Sequence, residues 1–177
     1  PISIAMAATW DTALVNEVAT AISDEASAIY NLWRQQPNIK AQHKGLIYRA
    51  PVINISRHPY WGRINECYGE DPVLTGRIGV AFVKGLQGTT PNPHPKYLKL
   101  VTTLKHYPVN NVEKDRQKLS AQVNERMLHE YWLPHFRACI VDGGALSVMA
   151  SYNAINGVPS NINPLLLTDI LKRQWGF

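Results

Sequence analysis

Residues 46–53, "LIYRAPVI", and residues 54–72, "NISRHPYWGRINECYGEDP", decide how this chain is read. The first run is apolar and reads as a strand. The second is a polar, aromatic-rich loop that ends in Asp71-Pro72, a capping residue followed by a proline at the first position of a helix. A simple strand-to-helix turn needs only about 2 to 6 residues. This loop is much longer and holds Arg57, Arg63, Glu66, Glu70, Asp71, Tyr60, Tyr68 and Trp61. That excess of chemistry marks the end of the strand as a functional rim.

The same unit of apolar run, polar loop and helical period recurs along the chain. ISIAMAA (2–8) reads as a strand before a helix that Asp11 N-caps, with Trp10 and Val15 as a hydrophobic staple. That helix presents Leu14, Val18, Ile22 and Ile29 on one face and is expected to end near Tyr30. After the opening loop, the helix from Pro72 turns Leu74, Ile78 and Ala81 inward and closes at Gly85. LKLVTTL (98–104) is the third strand, followed by a helix from about Asn124 that Pro134 breaks. ALSVMAS (145–151) is the fourth, followed by a last helix capped by Asn163, with Lys172 and Arg173 in its final turn and Gly176 at its end.

Four βα units imply a parallel sheet under helical cover. In each unit the long polar loop follows the strand, which favours a parallel (β/α) barrel with its chemistry at the C-terminal ends of the strands. A doubly wound nucleotide-binding fold calls for G-x-G-x-x-G after its first strand, and AATWD is not that. Only about half of a TIM-type (β/α)8 barrel is expected in 177 residues carrying four such units.

Composition narrows the partners. The chain is 45% apolar and 18% charged, as a globular domain is, and no apolar run approaches the roughly 18 residues of a membrane span. The net charge of +5 is scattered, with nothing longer than pairs such as Lys172-Arg173, so no nucleic acid is expected as a partner. Cys67 and Cys139 have no metal or disulfide spacing. No metal site is expected.

Several residues gather on the expected rim. Lys105 and His106 close the third strand, where alternation sends one of them into the barrel mouth and the other outward unless the strand ends between them. Two donors there suit hydroxyls or an anion; a solvated lysine beside a core histidine fits as well. The Arg63 fork can grip paired sugar hydroxyls or carboxylates with Glu66 orienting it, and Trp61 and Tyr68 offer flat faces that complement a sugar ring. Those same residues can instead pack an Ω-type loop around an internal salt bridge. Met149 and Tyr152 can line the mouth or belong to the core, and Arg116 can reach it or sit in solvent. No carboxylate pair supplies a reaction centre: Glu66, Glu70 and Asp71 share one loop, whereas a glycosidase needs two carboxyl groups about 5 to 10 Å apart across the bond.

Residues 54–72, residues 103–107 "TLKHY", residues 147–159 "SVMASYNAINGVP" and the closing "LLLTDILKRQWGF" together resemble the N-terminal domain of glycoside hydrolase family 3, which includes β-glucosidases and β-xylosidases. The resemblance runs from AATWD to WGF, so residues 1–177 are read as the central part of that barrel domain, truncated at both ends. It implies a retaining mechanism without a cofactor. Arg63 then matches the arginine of W-G-R, and Lys105 and His106 match the K-H pair; all three are expected on the sugar at the bond to be cut. Arg116 matches an arginine eleven residues after the lysine in β-glucosidases, Met149 and Tyr152 match the residues around S-Y-N, and Glu66 and Trp61 are expected to support the binding residues.

The family's nucleophile is an aspartate expected just beyond Phe177, and its acid/base glutamate comes from a second α/β-sandwich domain. The remainder of the barrel and that domain are therefore the implied partners, with a carbohydrate as substrate. The loop "KHYPVNNVEKDRQ" lacks the K-H-F-P-G-x-G of the N-acetylglucosaminidase branch. The parent is expected to remove terminal β-linked glucose or xylose; a non-catalytic sugar-binding or structural relative is the alternative. Family members are often secreted or periplasmic.

Overall fold

The computed structural model describes residues 1–36, 38, 45–90, 92 and 95–177. The N-terminal run read as a first strand is a short helix, α1 (Ser3–Ala7). Ala5, Met6 and Ala7 are strong helix formers, and only Met6 and Ala7 of this turn need burial.

Asp11 caps α2 (Thr12–Gln35) as read, accepting the amides of Ala13 and Leu14 at 2.9 and 3.0 Å. The helix runs on to Gln35 rather than stopping near Tyr30. Its fully buried stripe is Val15, Ala19, Ser23 and Ala26; of the expected face, Val18 and Ile22 pack half-buried against the core, while Leu14 and Ile29 are exposed. Close packing against α3 (Pro72–Gln87) explains the choice: a Cβ on Gly85 would strike the backbone carbonyl of Asn16 and come within 2.9 Å of the Ala19 methyl. Only small side chains fit between two helices so near each other. Trp10, 75% exposed, does not staple onto Val15.

Asp71 starts α3 as read, accepting Leu74 N–H at 2.6 Å with Pro72 in first position. The helix ends at Gly88, whose left-handed φ of +73° suits glycine, and not at Gly85. The strands are β1 (Ile47–Tyr48), β2 (Val101–Tyr107), β3 (Ser120–Ala121), β4 (Ser147–Ala150), β5 (Ala154–Ile155) and β6 (Val158–Pro159). β1, β2 and β4 form one parallel sheet in the order β1-β2-β4, so three strands stand where four βα units implied four. β1 is short because Pro51 has no N–H to give the ladder; beyond it only Val52 bridges Lys105, with Ile53 N–H on the Lys105 carbonyl at 3.0 Å. β3, β5 and β6 make a small separate sheet.

Asn124 caps α4 (Glu125–Met127), a wide π-type turn follows over Leu128–Trp132, and Pro134 opens α5 (Pro134–Val141). Asn163 accepts Leu166 N–H at 3.3 Å at the start of the last helix, Leu165–Gln174, which Gly176 closes at φ +72°. The core lies between sheet and helices. Tyr107 at its centre packs edge-on against Phe136 at 5.2 Å and Trp175 at 6.1 Å, and its hydroxyl donates to the Leu166 carbonyl at 3.1 Å. Among the described residues no helix is long and apolar enough to cross a membrane, and Cys67 and Cys139 are free and buried.

Because the three main strands are parallel, the loops that leave β1, β2 and β4 emerge at one end of the sheet. That end carries the polar residues picked out above.

Candidate functional site

Arg63 sits just before a 3-10 turn, Ile64–Glu66, which brings Glu66 back beside it. The guanidinium donates Nε–H to Glu66 Oε1 and Nη2–H to Glu66 Oε2, both at 2.8 Å, a two-pronged grip. The hydrogen bond from Arg63 holds the Glu66 carboxyl below its ordinary value against the opposing effect of burial. Glu66 thus orients Arg63 and leaves its Nη1 edge free for other contacts. That edge lies 3.4 Å from His106 Nε2 and 3.8 Å from Glu113 Oε1.

Lys105 and His106 lie where the β2–β4 ladder loses its regular register. Lys105 pairs with Met149 and Tyr107 with Ala150, so two residues of β2 stand against one of β4, and the peptide between Lys105 and His106 is cis. Such a bulge re-aims side chains. Both residues lie close enough to Arg63 and Glu66 to feel their charges. Burial, then Arg63, holds the Lys105 ammonium below its usual range, while Glu66 opposes this. Burial, with Arg63 and Lys105, pushes His106 down to about 4, so the imidazole is neutral at pH 7. Lys105 also lines an open cavity with Ile47, Tyr48 and Arg49.

Arg116 leaves the loop after β2 and returns to the rim, ion-paired with Glu113 and with its guanidinium 4.8 Å from the centre of the Tyr152 ring. Tyr152 is half exposed and Met149, on β4, half buried. Trp61 and Tyr68 are not open platforms. Trp61 is 5% and Tyr68 1% exposed, because both pack inward under the loop. Trp61 keeps a different task, donating Nε1–H to Glu113 Oε1 at 3.1 Å.

Two residues that the sequence reading passed over hold this arrangement together. Glu113 accepts from Trp61, from Arg116 and, at 3.5 Å, from Asn110 Nδ2, and faces Arg63. Burial acts to raise its carboxyl, but Trp61, Arg116 and Arg63 outweigh that and hold it below the usual value. Its three-residue spacing from Arg116 was the available signal. Asn54, fully buried at the end of LIYRAPVI, bonds the backbone of His106 and Pro108 and the His106 ring.

The sequence model "Glycosyl hydrolase family 3 N terminal domain" matches residues 1–177. The chain belongs to glycosyl hydrolase family 3. It is 36% identical over 178 residues to a β-glucosidase of Rhizobium radiobacter, covering 100% of this chain and 19% of that protein. It is 37% identical over 179 residues to β-D-xylosidase 3 of Arabidopsis thaliana, covering 99% of this chain and 22% of that one. Among solved structures, an exo-β-xylosidase in complex with a xylobiose aziridine activity-based probe superposes at a TM-score of 0.87 with 32% identity, over 100% of this chain and 22% of the other. β-Glucosidase 3B of Thermotoga neapolitana in complex with α-D-glucose gives a TM-score of 0.82 and 33% identity, with the same coverage. The fold is therefore α/β with a parallel sheet, a partial (β/α) barrel of this family. The chain spans about one fifth of the length of the relatives it matches.

Proposed function

We propose that these residues supply part of the sugar-binding wall of a retaining exo-β-glycosidase, an O-glycoside hydrolase that removes terminal β-linked glucose or xylose. One observation carries the reading: Arg63, Lys105 and His106 converge at the C-terminal end of a parallel sheet, where Glu66 fixes the Arg63 fork. Arg63 and Lys105 donate to sugar oxygens, and the neutral His106 completes the cluster. Met149, Arg116 and Tyr152 extend the wall.

The chemistry of retention needs one carboxylate as nucleophile, forming a covalent glycosyl-enzyme, and one as acid and then base. Glu66 is engaged by both prongs of Arg63, and Glu113 by Trp61 and Arg116. Neither is free for that work, which supports the assignment of both catalytic carboxyl groups to other parts of the parent: an aspartate just beyond Phe177 and a glutamate of a second α/β-sandwich domain. No cofactor enters the scheme.

The test is turnover of 4-nitrophenyl β-glucoside, β-xyloside and α-arabinofuranoside. The full-length parent is expected to hydrolyse a β-glucoside or β-xyloside with retention of anomeric configuration. Residues 1–177 alone are expected to release no nitrophenol, and Arg63→Ala in the parent should cost about 100-fold or more in kcat/KM by removing charged hydrogen bonds to the sugar. A full-length parent inert on all three glycosides would overturn the reading.

A further inference from the structure

The hydrogen bonds around Asn54 fix something about His106 that its position alone does not. The amide of Asn54 can be oriented without ambiguity. Its nitrogen sits 2.9 Å from the His106 carbonyl and 3.5 Å from the Pro108 carbonyl, so it is the donor. Its oxygen accepts the His106 backbone N–H at 2.7 Å. That same oxygen lies 3.1 Å from His106 Nδ1. A bare Nδ1 would set lone pair against lone pair at this distance, so Nδ1 must carry the proton. In a neutral ring Nε2 is then bare and accepts, here from Arg63 Nη1 at 3.4 Å.

We infer that Asn54 is a positioning residue that locks His106 as the Nδ1–H tautomer, so that its bare Nε2 accepts from Arg63 and holds the outer edge of that fork at the rim. This rests on the proposal that the wall receives a sugar. Nε2 has one lone pair, which Arg63 Nη1 fills, while Glu66 grips the other edge of the same guanidinium. The fork is thus held from both sides, and the N–H groups it keeps are aimed with those of Lys105 at sugar oxygens.

Every charged group shown to act on the ring bears on its protonation. Arg63 and Lys105 oppose a second proton, as burial does, while Glu113 and Glu66 favour one more weakly. The amide of Asn54 adds no charge. An aspartate there would keep the two accepted bonds, lose the two donated ones and favour the imidazolium, which has no acceptor left.

Two measurements on the full-length parent test this. In protein labelled with 15N-histidine, the His106 signal, identified by its loss in His106→Gln, should show a protonated Nδ1 and a bare Nε2 at pH 7; a protonated Nε2 overturns the inference. Asn54→Asp should raise the pH at which the His106 ring takes up its second proton, followed by the same 15N signal, by about one pH unit or more. An unmoved His106 titration in a folded Asn54→Asp protein also overturns it. Should that variant fail to fold, the tautomer in the unaltered protein still decides. A parent that shows the Nδ1–H tautomer yet hydrolyses no glycoside sinks the glycosidase reading and leaves the assignment of Asn54 standing.

Discussion

His135 makes the fold sensitive to acid. It lies on α5 with its ring fully buried, 4.9 Å from Phe136, and neither ring nitrogen has a hydrogen-bond partner among the described residues. Burial pushes its pKa from 6.5 to about 3. The folded chain therefore keeps His135 neutral where the unfolded chain binds a proton, and stability falls with pH from about 6.5 until it levels off near 3. At pH 4.5 the unfolded histidine is two pH units below its pKa and the folded one still uncharged. At roughly 1.36 kcal/mol per unit, the loss relative to pH 7.5 is about 2.7 kcal/mol. His135→Leu has similar bulk, removes two unpaired polar atoms and cannot titrate. It should be at least as stable as the native protein at pH 7.5, and its loss between pH 7.5 and 4.5 should be smaller by about 2.7 kcal/mol. Urea unfolding of both proteins at both pH values measures this. Acid effects at Glu66, Glu113 and His106 are common to the two and cancel in the comparison. Equal losses in the two proteins would refute the account.

Gly85→Ala should destabilise by about 1–3 kcal/mol, because its methyl would meet the Asn16 carbonyl and the Ala19 methyl in the α2–α3 contact; an unchanged urea midpoint would mean that the helices separate at little cost. Glu113→Gln keeps an acceptor for the Trp61 indole and should change stability by less than about 1 kcal/mol, since the ion pairs it loses are partly exposed, yet lower kcat/KM of the parent about tenfold by releasing Arg63 and Arg116. Glu113→Ala leaves the Trp61 N–H unpaired and should cost about 1–3 kcal/mol more than Glu113→Gln, so equal stability of the two would count against the Trp61 bond.

The parts of the fold legible in the sequence were those set by local chemistry. Asp11, Asp71, Asn124 and Asn163 cap helices because each side chain reaches amides two or three residues ahead. ISIAMAA was misread because a short apolar run has no periodicity to separate strand from helix, and its alanines favour the helix. The expected face of α2 held in part: Val18 and Ile22 pack against the core, while Leu14 and Ile29 stay exposed. The difference has a tertiary reason, since the close approach of α3 selected the small residues Ala19, Ser23 and Ala26 for full burial.

The same division runs through the site. Arg63 and Glu66 are three residues apart, and their pairing could be read directly. The contacts of Asn54 with His106 and of Trp61 with Glu113 each join residues 52 apart, and nothing local announces them. The bulge that re-aims Lys105 and His106 depends on register against β4, which alternation along one strand does not contain.

These long-range partners also govern the charge of the wall. Arg63, Arg116 and Lys105 face Glu66 and Glu113, while His106 is held neutral. Three cations against two carboxylates leave positive charge at the rim, in an arrangement rich in donors and suited to gripping hydroxyl oxygens. An oxocarbenium-like transition state is itself positive, and such a wall gives it no electrostatic support. The proposed glycosidase therefore needs its carboxylates on the other side of the sugar, with the donors here spending their strength on orientation. A neutral His106 that accepts from Arg63 fits that division, since it steadies the fork without adding a further positive charge at the rim.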